Sequence, residues 1–185
     1  MEPLTRRAPR ALVRRQSRSA RETTGFGLRI GRMLAPGDVV ALVGELGAGK
    51  TELARGICRG AGVAPADVAS PSFAVVASYR GRLPVHHADL YRVADFDELY
   101  ATGFTDLLGA EGALVVEWAD RIPDALPAER LEVRLAHDAR RPSLRHILVV
   151  GTGARHAALA RALGTRRPAT RRQPRKVSGS GRSRR

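Results

Sequence analysis

The stretch that decides the fold is Val39-Val40-Ala41-Leu42-Val43-Gly44-Glu45-Leu46-Gly47-Ala48-Gly49-Lys50-Thr51. Its first five residues form an unbroken apolar run rich in β-branched side chains, which is typical of a strand buried on both faces of a parallel sheet. Its last eight residues match the pattern G-x-x-x-x-G-K-[ST] in full, and a helix is predicted from Thr51 to about Arg59. This strand–loop–helix order predicts a phosphate-binding loop (P-loop) for a nucleoside triphosphate.

The chemistry of the loop follows from its residue types. A glycine-rich turn can aim several backbone N–H groups inward, and the amino-terminal end of the next helix adds partial positive charge. The Lys50 ammonium is expected to reach the β- and γ-phosphates, and the Thr51 hydroxyl to coordinate Mg²⁺. The residues predicted to contact the nucleotide are Glu45, Leu46, Gly47, Ala48, Gly49, Lys50 and Thr51.

Lysine usage supports a specific role for Lys50. The chain of 185 residues has 32 basic residues, but only Lys50 and Lys176 are lysines. Elsewhere arginine supplies the positive charge. A P-loop needs a slim, flexible stem that carries a point charge, and the wide guanidinium fork of arginine does not provide one. We therefore infer that position 50 requires lysine.

The net charge of +14 belongs to the two ends of the chain. Residues 1–21 hold seven arginines and one acid, and residues 155–185 hold eleven basic residues and no acid. The middle, residues 22–154, holds 14 basic and 17 acidic residues. Such basic blocks are usually disordered. We predict disordered basic extensions at 1–21 and 164–185, around an ATPase domain at 22–163.

Composition also indicates where the protein works. No apolar run approaches the ~20 residues of a membrane span. The single cysteine, Cys58, excludes an intrachain disulfide and a cysteine metal cluster. It lies in a predicted helix and reads as a small buried hydrophobe. We expect a cytoplasmic protein.

Apolar runs joined by helices predict an α/β fold with a mainly parallel sheet. Besides the strand at 39–43, strands are predicted at 73–79, 83–88, 113–116, 131–135 and 147–150. Helices are predicted at 22–34, 51–59, 95–102 and 154–163.

Two acids follow predicted strands and are candidates to serve the nucleotide. Asp89 follows the strand at 83–88, and Glu117 follows the fully apolar run at 113–116. Carboxyl ends of parallel strands meet at the edge of the sheet where ligands bind. Glu117 is expected to hold Mg²⁺ directly or through water, and either acid could position the attacking water.

Other polar and aromatic groups near these acids leave alternatives open. His86 and His87 are adjacent, so they point to opposite faces of a strand, and packed or surface positions are expected for both. Trp118 could stack on the adenine or ribose, or pack in the core. The segment Ser70-Pro71-Ser72 could sense the γ-phosphate or be a simple turn.

The chain resembles the TsaE family, small bacterial ATPases that assist synthesis of threonylcarbamoyladenosine on tRNA. The matching segments, in order, are Pro36-Gly37-Asp38 leading into the P-loop, Ser70-Pro71-Ser72-Phe73, His87-Ala88-Asp89-Leu90-Tyr91-Arg92 and Glu117-Trp118. The last two are far more specific than the P-loop alone.

The resemblance implies a P-loop NTPase-like three-layer fold, with a mainly parallel central sheet and a few antiparallel strands. It implies slow, partner-gated, Mg²⁺-dependent ATP hydrolysis that supports modification of adenosine 37 by the TsaD–TsaB heterodimer. It implies that Lys50 and Thr51 bind phosphate and Mg²⁺, that Glu117 binds Mg²⁺, and that Thr23 and Trp118 lie near the base. Asp89 would be a catalytic or switch acid, and Ser70 to Phe73 a switch loop.

Two other functions fit parts of the sequence. A small-molecule kinase could use the same P-loop, although Arg80, Arg82 and Arg92 are scattered and no lid segment is obvious. An RNA-binding module could use the basic ends to hold tRNA without base specificity, since aromatic content is only 4%. No arginine finger is evident; Arg92 or a partner could supply one.

Overall fold

The structure is a computed structural model that describes residues 8–68, 71, 74–109 and 111–165. The strands are β1 (Arg10–Ser17), β2 (Val39–Val43), β3 (Val76–Tyr79), β4 (Val85–Asp89), β5 (Ala113–Glu117), β6 (Leu131–His137) and β7 (Arg145–Thr152). The helices are α1 (Ala20–Gly31), α2 (Lys50–Gly60), α3 (Phe96–Ala101) and α4 (Gly153–Gly164), with 3₁₀ turns at Phe104–Leu107 and Pro123–Ala125. Within the described residues, no helix combines the length and apolar character that a membrane crossing requires.

All seven strands form one sheet in the order β1-β7-β6-β2-β5-β4-β3. The four central strands are parallel, through the pairs β6-β2, β2-β5 and β5-β4. The outer pairs β1-β7, β7-β6 and β4-β3 are antiparallel. The predicted parallel core is therefore confirmed, and antiparallel strands extend it on both sides.

Alternate residues of β2 enter two separate hydrophobic clusters, as the period of a strand requires. Val40 and Leu42 pack beneath α1, α2 and α4, together with residues of β5, β6 and β7. Val39 and Ala41 pack on the opposite face against Leu99 of α3 and the 3₁₀ turns. The sheet is thus the middle of three layers around β2, β4 and β5.

Helices α1 and α2 pack backbone against backbone through four glycines. A Cβ at Gly27 or Gly31 would overlap the carbonyl oxygen of Leu53 or Ile57, and one at Gly56 or Gly60 would overlap that of Thr24 or Leu28. The glycines are four residues apart on each helix, so they line one face of it. This contact holds α1 directly against the helix that follows the P-loop.

Asp38 anchors the last helix to the start of β2. Its carboxylate accepts two hydrogen bonds from Arg155, at 3.1 and 2.7 Å, and one from the backbone N–H of Ala35 at 2.8 Å. His156 Nε2 lies 3.5 Å from the same carboxylate. Both Arg155 and His156 belong to α4, so Asp38 joins the carboxyl-terminal helix to the core.

The prediction that residues 1–21 are disordered is wrong for residues 10–17 and for the start of α1. Strand β1 pairs with β7 along its whole length. Ala11 and Val13 contact the core, and the Arg15 guanidinium caps α4 by donating to the carbonyls of Leu163 and Gly164 at 2.7 and 2.6 Å. Because arginine occupies several positions of β1, its alternation of inward and outward residues was not recognised from the sequence. Residues 1–7 and 166–185 lie outside the described residues.

Candidate functional site

The P-loop joins β2 to α2 and depends on glycine where the chain turns sharply. Gly44 has φ 149° and Gly49 has φ 102°, values that other residues rarely adopt. A Cβ at Gly44 would also overlap the carbonyl oxygen of Leu135. Gly49 is the N-cap of α2 and has no side chain, so the first N–H groups of that helix remain available to an anion.

The Lys50 side chain is folded onto its own loop. Its ammonium donates to the carbonyl oxygens of Gly44 and Glu45, at 2.6 and 2.9 Å, and is 3.4 Å from the centre of the Trp118 ring. Only 4% of the residue is exposed. Burial lowers the pKa of Lys50, while the carboxylates of Glu117, Asp120 and Asp89 oppose that shift. Three acids therefore surround the cation.

Glu117 at the end of β5 joins two side chains in a hydrogen-bonded chain. The Thr51 hydroxyl donates to one carboxylate oxygen at 2.8 Å, and His87 Nε2 lies 2.9 Å from the other. Glu117 is 1% exposed and His87 is 0% exposed. Both oxygens of Glu117 are therefore engaged, one toward the P-loop and one toward the core.

His87 is a residue of the candidate site to which the sequence assigned no role. The two histidines do point to opposite faces: His86 Nδ1 bonds the Ser78 hydroxyl at 2.8 Å, whereas His87 bonds Glu117. Among the described residues, His87 Nδ1 has no hydrogen-bond partner. A tautomer with its proton on Nε2 fits this arrangement, because it donates to the carboxylate. The available signals were that His87 and Asp89 share one face of β4 and that His87 opens the TsaE-like segment His87-Ala88-Asp89-Leu90-Tyr91-Arg92.

Asp89 lies beside Glu117, as expected of acids at adjacent strand ends. The two residues are paired across β4 and β5, and Asp89 is 8% exposed. Its Oδ1 accepts a hydrogen bond from the backbone N–H of Tyr91 at 3.0 Å. The structure therefore brings Lys50, Thr51, Asp89 and Glu117 together at one edge of the sheet.

Trp118 is held in an unusual backbone conformation next to Glu117. Its φ is 57°, a left-handed value that is uncommon for a bulky side chain and recurs at functional sites. The half-buried ring stacks at a tilt on Tyr91, with centroids 4.8 Å apart, and covers the Lys50 ammonium. In this position Trp118 is next to the lysine that the sequence predicts to bind phosphate.

Two cavities flank the P-loop and separate the predicted ligand contacts. One, of about 250 Å³, is lined by Lys50, Thr51, Glu117 and Trp118 as well as loop residues. The other, of about 190 Å³, is lined by Thr23, Ser143 and Arg145 along with Gly47 and Gly49. Thr23 and Trp118 therefore line different cavities beside the loop.

Arg145 is a second residue to which the sequence assigned no role. Its guanidinium donates to the carbonyl oxygens of Ala48 at 3.1 Å and Gly47 at 3.4 Å. It thereby braces the P-loop from β7, a strand almost one hundred residues away in the chain.

Comparison with known proteins assigns the chain to a family. The family model described as "Threonylcarbamoyl adenosine biosynthesis protein TsaE" matches residues 17–146. The chain belongs to the TsaE family. The resemblance inferred from sequence is therefore confirmed, and with it a place in tRNA threonylcarbamoyladenosine biosynthesis.

Individual TsaE proteins and a solved structure agree with this assignment. The TsaE of Streptomyces coelicolor is 38% identical over 139 residues, which cover 71% of this chain and 92% of that protein. The TsaE of Treponema pallidum is 37% identical over 119 residues, which cover 64% and 87%. The crystal structure of YdiB from Bacillus subtilis superposes with a TM-score of 0.65 at 29% identity, over 83% of this chain and 95% of that one. The P-loop NTPase-like three-layer fold is thereby confirmed.

Ser70, Ser72 and Phe73 of the predicted switch loop lie outside the described residues. Just after them, Val75 has φ 60°, which is rare for a β-branched residue, and its carbonyl accepts from the Asp89 N–H at 2.9 Å. The predicted switch segment thus leads directly into a strained residue that touches Asp89.

Proposed function

We propose that this protein binds ATP with Mg²⁺ and hydrolyses it slowly, in the cytoplasm, to support tRNA modification by a TsaD–TsaB pair. The observation that carries the proposal is the chain Thr51–Glu117–His87 beside the buried Lys50. A phosphate loop followed by a hydroxyl that touches a strand-end carboxylate is the arrangement P-loop NTPases use for phosphate and metal.

In this proposal Lys50 exchanges partners when the nucleotide binds. Its ammonium leaves the carbonyl oxygens of Gly44 and Glu45 for phosphate oxygens of greater negative charge. The loop N–H groups and the amino-terminal end of α2 surround the same phosphates. Trp118, which covers Lys50, must adjust to the bound phosphates.

The residues present suit Mg²⁺, which prefers oxygen ligands and keeps much of its coordination for water and substrate phosphates. Thr51 Oγ1 and Glu117 Oε2 are 2.8 Å apart and would hold it between them. When bound, the ion would neutralise the charge that develops on the phosphates. His87 keeps the second oxygen of Glu117 engaged and so limits the carboxylate to one orientation.

The role of positioning the attacking water falls to Asp89 in this proposal. Glu117 is already assigned to Mg²⁺ together with Thr51, and Asp89 is its neighbour at the same sheet edge, paired with it across β4 and β5. We therefore assign the water-positioning role, which the sequence left open between the two acids, to Asp89. The cavity that contains Thr23 would receive the ribose and base, and Trp118 lies on the phosphate side instead.

Lys50→Ala and Glu117→Ala test the site. Each should lower ATP turnover by about two orders of magnitude or more, because each removes a charge at the phosphates or the metal. Lys50→Ala should weaken nucleotide binding more than Glu117→Ala does. Phosphate release measures turnover, and titration calorimetry measures binding. Hydrolysis at the wild-type rate in both variants would refute the site, and a phosphorylated small molecule in place of inorganic phosphate would favour the kinase.

The partner is tested separately. A pull-down with purified TsaD–TsaB should capture the protein, and the amount captured should change between ATP and no nucleotide. Capture in neither condition would leave an ATPase without this partner.

A further inference from the structure

Three strands at one end of the sheet present a surface that the nucleotide site does not use. In the register of β1, β7 and β6, Leu148 lies between Arg14 and Arg134, and His146 lies between Gln16 and Ala136. Alternate residues of a strand share a face, so these six side chains lie together. We call this surface, with Arg18 just beyond β1, the outer face.

No described helix covers the outer face. The hydrophobic cluster beneath α3 draws its sheet residues from β2, β4 and β5, with β3 packed against it. Arg14, Gln16, Arg18, Ala136 and His146 are exposed. A cavity of about 930 Å³ opens here and reaches Val43 and Gly44, where the P-loop begins.

Two arginines of the outer face form no ion pair within the part of the chain that the structure describes. Among the described residues, the guanidinium groups of Arg14 and Arg18 have no hydrogen-bond or ion-pair partner. Arg134, in contrast, forms an ion pair, because its Nε is 2.6 Å from the Glu132 carboxylate. Arg130 contacts the same carboxylate. Glu22 also lines the cavity, and its carboxylate accepts the backbone N–H of Arg18. The outer face therefore keeps a net positive charge.

This charge is part of a polarity across the whole sheet. Residues 8–21 and 130–152, which form β1, β6 and β7 with their loops, contain ten arginines and two acids. Residues 85–124, which form β4, α3 and β5, contain nine acids and two arginines. A polyanion would be drawn to the β1 end and repelled from the β4 end.

We propose that the outer face binds the phosphate backbone of RNA. Arginine forks pair with phosphate oxygens. The face contains no Phe, Tyr or Trp, and its imidazole, His146, is hydrogen-bonded to Asp138, so binding would rest on phosphate contacts and be independent of sequence. Membership of a tRNA-modification family makes RNA the fitting polyanion. The family model begins at residue 17. Arg14 lies just before that segment, and the proposal does not depend on ATP hydrolysis.

The test is fluorescence anisotropy of a labelled tRNA transcript with the full chain, at several salt concentrations. R14Q/R18Q should weaken binding five- to twentyfold at low salt. It should also reduce the slope of log affinity against log salt by about 1 to 2, since each lost phosphate contact removes roughly 0.7–0.9. The control R59Q/R80Q removes the same charge from two exposed arginines elsewhere. Unchanged nucleotide binding would show that the variants are folded.

Two outcomes would overturn the proposal. If R14Q/R18Q and R59Q/R80Q lower the tRNA affinity and the salt slope equally, binding depends only on the net charge or on the basic ends of the chain. If polyglutamate of matched charge displaces RNA as effectively as unlabelled tRNA, and loses its own binding in R14Q/R18Q, the face is suited to an acidic protein surface instead. Selective loss of tRNA binding in R14Q/R18Q would support RNA.

Discussion

At the residue scale, the pairing of His87 with Glu117 decides how the carboxylate that we propose binds Mg²⁺ is held. A carboxylate on an exposed loop can rotate between several orientations. Here the imidazole is fully buried and bonds one oxygen at 2.9 Å, while Thr51 bonds the other at 2.8 Å. Residues that orient a metal ligand in this way commonly contribute ten- to a hundredfold to metal affinity or activity.

We predict that His87→Leu lowers ATP turnover by roughly ten- to a hundredfold and raises the Mg²⁺ concentration needed for half-maximal rate. His87→Gln should recover part of the loss, because a Gln amide can donate from near the position of Nε2. Steady-state phosphate release at varied Mg²⁺ measures both effects. Nucleotide affinity without Mg²⁺ should stay close to that of the wild type.

His86→Leu is the matched control for this prediction. His86 is the neighbouring histidine, points to the other face of β4 and bonds Ser78. It should therefore leave the Mg²⁺ dependence unchanged. An equal shift in both variants would mean that His87 matters only for the integrity of β4.

The sequence predicted several residues of the site and missed others for a physical reason. Lys50 and Thr51 belong to a local motif, and Asp89 and Glu117 follow strands, so their positions could be read from the chain. His87 and Arg145 act through pairing between distant strands and through the position of β7 beside the P-loop. No local pattern encodes such a register.

At the element scale, the contact between α1 and α2 is the feature with the clearest energetic consequence. Glycine costs about 1 kcal/mol relative to alanine within a helix, so four glycines in two helices are unfavourable for helix formation. They are tolerated because the two backbones approach too closely for a Cβ. Glycine-to-alanine substitutions in α1 should therefore distinguish the effect of helix propensity on stability from the effect of packing against α2.

We predict opposite effects for two glycines of α1. Gly25→Ala should stabilise the protein by about 0.5–1 kcal/mol, because a Cβ at Gly25 meets nothing within 4 Å. Gly27→Ala should destabilise it by several kcal/mol, because the Cβ would overlap the Leu53 carbonyl. Urea unfolding measures both. Two changes of the same sign would contradict the described packing.

Most elements could be predicted, and the exception has a clear cause. The strand at 39–43 matches β2, and the predicted helix at 154–163 matches α4 within one residue at each end. Helix α1 begins at Ala20, two residues before the predicted start. Its first turn is capped by two hydrogen bonds: the Ser19 hydroxyl accepts from the Glu22 N–H, and the Glu22 carboxylate accepts from the backbone N–H of Arg18. Strand β1 was missed because its arginines resembled a solvated tail, although Ala11 and Val13 alternate toward the core.

At the scale of the whole molecule, Asp38 and α4 link stability to pH. Burial lowers the pKa of His156; Asp38 and Glu129 oppose that shift, while Arg155 adds to it. An unfolded histidine titrates near pH 6.5. The contribution of neutral His156 is therefore complete above about pH 6.5 and is lost as pH falls through the lower pKa of the folded state.

We predict that unfolding free energy decreases below about pH 6.5, with His156 contributing at most about 1.4 kcal/mol per pH unit. His156→Gln removes this titration. Urea unfolding of both proteins from pH 8 to pH 5 should show a smaller acid loss in the variant. Parallel curves for the two proteins would assign the acid sensitivity to other groups.

The pairing of β1 with β7 also orders events while the chain is being made. β1 leaves the ribosome about 130 residues before β7 does. At about 5–20 residues per second, the strand waits roughly 6 to 26 s for its neighbour. An unpaired strand can form backbone hydrogen bonds with strands of other chains and so aggregate, and charged side chains on the strand oppose such pairing. The arginines of β1 would thus keep a nascent strand apart from other chains until its own partner emerges.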